Sequence, residues 1–120
     1  MRPVLVFALA IMLSPCANDD ERYKAIKGEW NAAEWLVTGK PSNKNIQDIR
    51  FHFNEDNTYR SQLGASAEKG TFRIQGDYLY TKAENRLEIM VKIRKLTNDS
   101  LVLDMNNSGQ EETLILIREQ

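Results

Sequence analysis

Few residues of this chain have the types and spacing that chemistry needs. His52 is the single histidine and Cys16 the single cysteine among 120 residues. A Ser-His-Asp site would have to use His52, and no nucleophile motif stands beside it. Because His52 alternates with Phe51 and Phe53, it is expected to face solvent. One histidine and one cysteine also leave too few ligands for a zinc cluster. Asn54-Glu55-Asp56 offers oxygen ligands but lacks the spacing of a calcium loop, so a turn is its expected use. Glycoside chemistry needs two carboxylates facing each other at about 5–9.5 Å. Glu88 and Asp104 are expected to point outward, and Glu111-Glu112 to sit at a loop edge. Tyr78 and Tyr80 share one face at period two, which suits stacking on a sugar or packing at a rim. With no convergent polar set, neither catalysis nor a cofactor or metal is expected.

Cys16 has chemistry of another kind. Arg2 supplies a positive start, Val4 to Leu13 is apolar throughout, and Leu13-Ser14-Pro15-Cys16 closes the run. A charged start, an apolar stretch of about 7–15 residues and a small-residue boundary describe a secretion signal. A membrane span needs roughly 20 apolar residues. The boundary resembles the bacterial lipoprotein signal, with Leu13 three positions before the cysteine; Pro15 departs from the small residue usual there. The resemblance implies a signal peptide over 1–15 and a lipid thioether at Cys16, with acyl chains of the palmitate kind. Residues 16–27 then form the lipidated cysteine and a polar tether, with room for one short helical turn that caps the fold. One acyl chain, at about 0.8 kcal/mol per buried methylene, holds only marginally; the lipoprotein pattern implies two or three. The expected place is the cell envelope, as an outer-membrane lipoprotein. Asp19-Asp20-Glu21 resembles a surface-export tag.

The formal net charge is −1, and Lys and Arg are scattered along the chain, which argues against a nucleic-acid partner. The length suits one domain. A lipidated cysteine staples nothing, so the fold must rest on its core.

From Gly28 onward the pattern has period two. Ile49, Phe51 and Phe53 alternate with polar residues, as do Phe72 and Ile74, then Leu87, Ile89, Val91 and Ile93, then Leu101, Leu103 and Met105. Such alternation marks half-buried strands. Clusters such as Asn54-Glu55-Asp56-Asn57 and Asn106-Asn107-Ser108-Gly109 separate them as hairpin loops. The pattern predicts eight strands, near 29–38, 46–53, 58–64, 69–75, 78–83, 86–96, 100–106 and 112–119. It predicts one long, mobile loop over 39–45. Short strands joined by tight turns make an antiparallel meander, and closing it into a barrel removes its edges. Trp30 and Trp35 differ in parity, so they share a face only across a bulge.

Gly28-Glu29-Trp30, the run from Phe53 to Tyr59, the run from Gly70 to Leu79 and the run from Leu96 to Leu103 together resemble the bacterial lipocalin-like domain of small lipoproteins. That resemblance implies an all-β fold: an eight-stranded antiparallel up-and-down barrel over residues 28–119, with a cavity open at one end. It implies that Trp30 lies at the closed floor. Ser61, Leu63, Tyr78 and Tyr80 are the expected mouth or ligand-lining residues. The expected function is non-enzymatic: a lipid-anchored barrel binding a small apolar or amphipathic ligand. The alternative is an interaction or enzyme-inhibitor module that meets an envelope protein through its surface and loops.

Overall fold

The computed structural model of the chain describes residues 19–119. The expected signal peptide and Cys16 therefore lie outside the described residues. The chain enters as helix α1 (Asp19–Ile26) and continues as β1 (Gly28–Val37), β2 (Lys40–Pro41), β3 (Ile49–Phe53), β4 (Thr58–Leu63), β5 (Ser66–Gln75), β6 (Tyr78–Ala83), β7 (Ile89–Leu96), β8 (Ser100–Asn107) and β9 (Gln110–Arg118). Each long strand pairs antiparallel with the next, and β1 also pairs with β9, which closes eight strands into a barrel. β2 is a two-residue extension paired only with β1. At the Ser108-Gly109 turn both residues take positive φ, 56° and 89°. That geometry twists a two-residue hairpin in the sense its strands require.

The inward faces hold the core. Trp30, Phe53, Phe72, Leu79, Leu101, Leu114 and Leu116 are all 4 % exposed or less. Phe53 meets Phe72 edge-on at 4.9 Å, a favourable aromatic geometry. The register of β1 against β9 shifts between Ala32 and Glu34. This is the bulge that the two tryptophans demand: Trp30 lies in the core, and Trp35 packs against it from the same face. A second shift in β7, between Ile93 and Lys95, lets Ile93 and Leu96 both face in.

Close approach shapes β5. A Cβ on Gly70 would stand 2.0 Å from the Lys82 carbonyl oxygen and 2.7 Å from the Ala83 Cα. Only glycine lets the two backbones run so near, a common device where a barrel strand bends.

Three strand starts differ from expectation: β3 begins at Ile49, not at 46, and β5 at Ser66, not at 69. β7 begins at Ile89, not at 86, and Leu87 is 88 % exposed in the loop before it. The left-handed Asn85 (φ 62°) turns the chain there, and Arg73 holds the Glu88 carboxylate through two 3.2 Å hydrogen bonds. The long loop after β2 is also not free. The Ser42 amide and hydroxyl both donate to the Trp35 carbonyl, at 3.1 and 2.8 Å, and Ile46 packs against the core.

α1 is the capping turn extended to eight residues. It closes one end of the barrel. The Ile74 amide donates to the Tyr23 hydroxyl at 2.8 Å, and Tyr23 lies against Phe72 with ring centres 5.8 Å apart. Ile26 is fully buried, and its carbonyl accepts the Trp30 indole N–H at 2.8 Å. The expected polar tether is thus, over Asp19–Ile26, a docked element.

Candidate functional site

The barrel has two unlike ends. At the floor, the Arg118 guanidinium lies over the Trp30 ring, 4.1 Å from its centre. It donates to the carbonyls of Ala25 (2.5 Å), Lys27 (2.6 Å) and Asn98 (2.7 Å). Those first two acceptors close the C-terminal end of α1, where carbonyls lack partners and a cation is favoured. Gly28 takes φ 111°, and a Cβ there would meet Arg118 Nη1 at 2.8 Å. The Gly-x-Trp of the sequence is therefore the seat of this plug. Trp30 lies at this end of the barrel, fully buried.

At the other end the inner wall reaches water. Leu63 pairs with buried Ile49, and Ile89 with buried Thr81, so both point inward. They remain 37 % and 59 % exposed. Phe51, Val91 and Met105 line the wall below them, half-buried. Ser61 also faces in and is buried. Beside it stand Tyr59 and Thr81, with Glu68 paired to Arg86 at 3.5 Å. Burial first, then the Glu68 carboxylate, pushes the Tyr59 phenol above its ordinary value; a hydrogen bond with Thr81 and the charge of Arg86 oppose them. A cleft of about 620 Å³ is bordered by Phe51, Ser61, Glu68 and Ala83 of the inner face and by Glu29, His52 and Arg60 of the outer one; Leu63 and Ile89 are not among its lining residues. Residues of both sheet faces border it, so it is a groove open to solvent.

Tyr78 and Tyr80 belong to the outer face. β6 presents Leu79, Thr81 and Ala83 to the interior, and Tyr78 is 38 % exposed. Arg73 lies 3.8 Å over the Tyr80 ring, a cation–π contact on the outside. Parity is the reason: the apolar Leu79 between the two tyrosines, and Ala83 in step with it, mark the buried face. His52 is half-buried; its Nδ1 lies 3.0 Å from Glu29 Oε1 on the neighbouring strand.

Two residues carry more than the sequence reading gave them. One is Arg118. The other is Glu112, which is 4 % exposed and accepts the Trp35 indole N–H at 2.9 Å. Its parity with Leu114 and Leu116 was the available signal.

A barrel with one end sealed by a helix and a Trp–Arg stack, and the other open over apolar side chains, is a calyx. A sequence profile described as a lipocalin-like domain matches residues 26–103. The chain belongs to that lipocalin-like domain family. It is similar in structure to a lipocalin-like protein from Bacteroides uniformis, at 12 % identity and a TM-score of 0.63, over 79 % of this chain and 99 % of that one. It is also similar to an uncharacterized protein from Bacteroides eggerthii, at 13 % identity and a TM-score of 0.62, over 78 % of this chain and 98 % of that one. At such identity the likeness is one of fold. No curated protein matches the chain in sequence.

Proposed function

We propose that this is a non-enzymatic, lipid-anchored protein of the cell envelope whose barrel mouth holds a small apolar or amphipathic molecule. One observation carries the ligand reading. Leu63 and Ile89 point into the barrel and are still 37 % and 59 % exposed. Apolar side chains left wet in a concave mouth gain about 25 cal/mol per Å² when a ligand covers them. The sealed floor gives such a molecule a single way in. The anchor reading rests on Cys16 and the apolar run before it, and it makes the outer membrane the partner surface. No cofactor or nucleic acid belongs to this function.

Native mass spectrometry of protein purified from its own cells tests the reading. A small molecule that copurifies, and that Ile89→Glu no longer retains, supports it. Wild-type protein that emerges empty, and takes up no apolar probe, overturns it.

Exposed apolar groups outside the mouth favour a second reading. Leu87 is 88 % exposed, and Met90, on the outer face of β7, is 55 % exposed. Exposed apolar groups of this kind suit contact with an envelope protein or an inhibited enzyme. A copurifying protein lost on Met90→Lys, with no small molecule retained by the wild type, selects this reading.

A further inference from the structure

Glu112 is an acid in an apolar place. It lies on the inner face of β9, in step with Leu114 and Leu116 and two residues from the strand's mouth end. Its cross-strand partners are Val37 on β1 and Met105 on β8. It is 4 % exposed, and its one hydrogen bond among the described residues is the 2.9 Å contact from Trp35 Nε1 to Oε1. None of the five ion pairs among the described residues includes it. A buried carboxylate is costly unless it is paired, and one neutral N–H is a weak partner for it. A glutamine would accept the same indole hydrogen without that cost, so the indole alone does not account for the acid. Trp35 itself already carries an ammonium: Lys44 Nζ lies 4.9 Å from its ring centre. Glu112 thus stands beside a ring whose face holds the Lys44 ammonium, and it has no ion-pair partner among the described residues. Across the mouth, the other inward carboxylate, Glu68, already has Arg86 at 3.5 Å.

We infer that Glu112 is the head-group site of the barrel, and that the ligand is an amphiphile bearing an amine or another cationic donor. Its cation pairs with Glu112 beside Trp35, and its apolar part lies against Val91, Ile89 and Leu63. This rests on the ligand-binding reading above and adds the sign of the ligand's charge. The geometry gives selectivity because an anionic head would meet a buried like charge, whereas a neutral one would leave the carboxylate unpaired.

The test is a titration of the full chain with hexylammonium, hexanol and hexanoate, followed by the NMR signal of the Trp35 indole N–H. Hexylammonium is expected to bind at least about tenfold tighter than hexanol, with hexanoate weakest. Glu112→Gln should bring the three within about twofold while the protein stays as stable as before or gains stability. Glu68→Gln should keep the preference for the cation. Equal binding of all three by the wild type, or a cation preference that survives Glu112→Gln, overturns the inference and leaves the ligand reading standing. If none of the three binds, both fall.

Discussion

At the scale of single residues, charge and aromaticity are used in pairs, and each pair has a geometric reason. Arg118 supplies a planar fork to three carbonyls and a flat face to Trp30. Lysine keeps the charge but loses both the fork and the stack. Arg118→Lys should therefore cost about 1–3 kcal/mol in urea unfolding, given the worth of charged hydrogen bonds; an unchanged midpoint and slope would contradict the plug. Trp30→Ala removes the ring from a fully buried site and should cost about 3–5 kcal/mol, with a loss under about 1 kcal/mol counting against the floor assignment. Tyr59 gives a pH signature. Its phenol is held above the ordinary value, chiefly by burial. The unfolded chain thus loses this proton first, and stability held at neutral pH falls once pH rises past about 10, toward the folded value. Tyr59→Phe should flatten that alkaline decline in unfolding midpoints measured at about pH 8 and pH 11; an equally steep decline in the variant contradicts it. Single-residue roles were the least legible in sequence. Glu112 is adjacent to Glu111 and reads as loop edge, and only the register with Leu114 shows it facing inward. Arg118 reads as a terminal charge until α1 folds beneath it.

At the scale of elements, period two was sufficient for most of the barrel. Phe51 and Phe53, Phe72 and Ile74, Leu101 and Leu103 all face where alternation puts them, since a slip of one residue would expose the set. The mismatch between Trp30 and Trp35 also predicted its own remedy, a bulge. Alternation failed at β7 for a local reason. Leu87 continues the pattern in sequence, but the left-handed Asn85 and the fixed Glu88 hold the chain off the sheet there. In β6 alternation holds, and the two tyrosines share the outer face because Leu79 faces in. Sequence pattern carries no signal for Gly70, because the close approach is made by a partner strand. Gly70→Ala forces a methyl into the Lys82 carbonyl and should cost about 1–3 kcal/mol as overpacking. Gly64→Ala, at a turn with nothing within 4 Å of its Cβ, is the comparison. Its φ of 69° makes it a backbone-strain control without a clash. Circular dichroism and urea unfolding of both should show Gly70→Ala weakened as well; a Gly70→Ala protein as stable as wild type would contradict the β5–β6 approach.

At the scale of the whole molecule, the proposed anchor fixes an orientation as well as a location. Cys16 precedes Asp19, the first residue of α1, by three positions. Three residues span at most about 10 Å of extended chain. Asp19 is itself tied to the floor, its Oδ1 accepting the Gly76 amide at 3.1 Å in the β5–β6 turn. A lipid at Cys16 thus brings the sealed end toward the bilayer and leaves the mouth directed away from it. Asp77 and Asp99 stand in turns at the floor, where charge resists insertion; of the exposed apolar groups, Leu63, Leu87, Ile89 and Met90 lie toward the mouth, and Tyr78 and Ile117 toward the floor. A ligand would then arrive from the space beyond the membrane and not from the leaflet that holds the protein. Cys16→Ser should release the protein from the membrane fraction, and unchanged retention would remove the anchor. Under the proposed thioether at Cys16, the single cysteine of the chain, an introduced cysteine is the only free thiol. A fluorophore at Asp99→Cys, by the floor, should be quenched by a lipid-phase quencher more strongly than one at Ser108→Cys, in the β8–β9 turn at the mouth. The opposite order would mean that the open end faces the bilayer, and that ligand exchange runs through the lipid, even if the anchor at Cys16 were real.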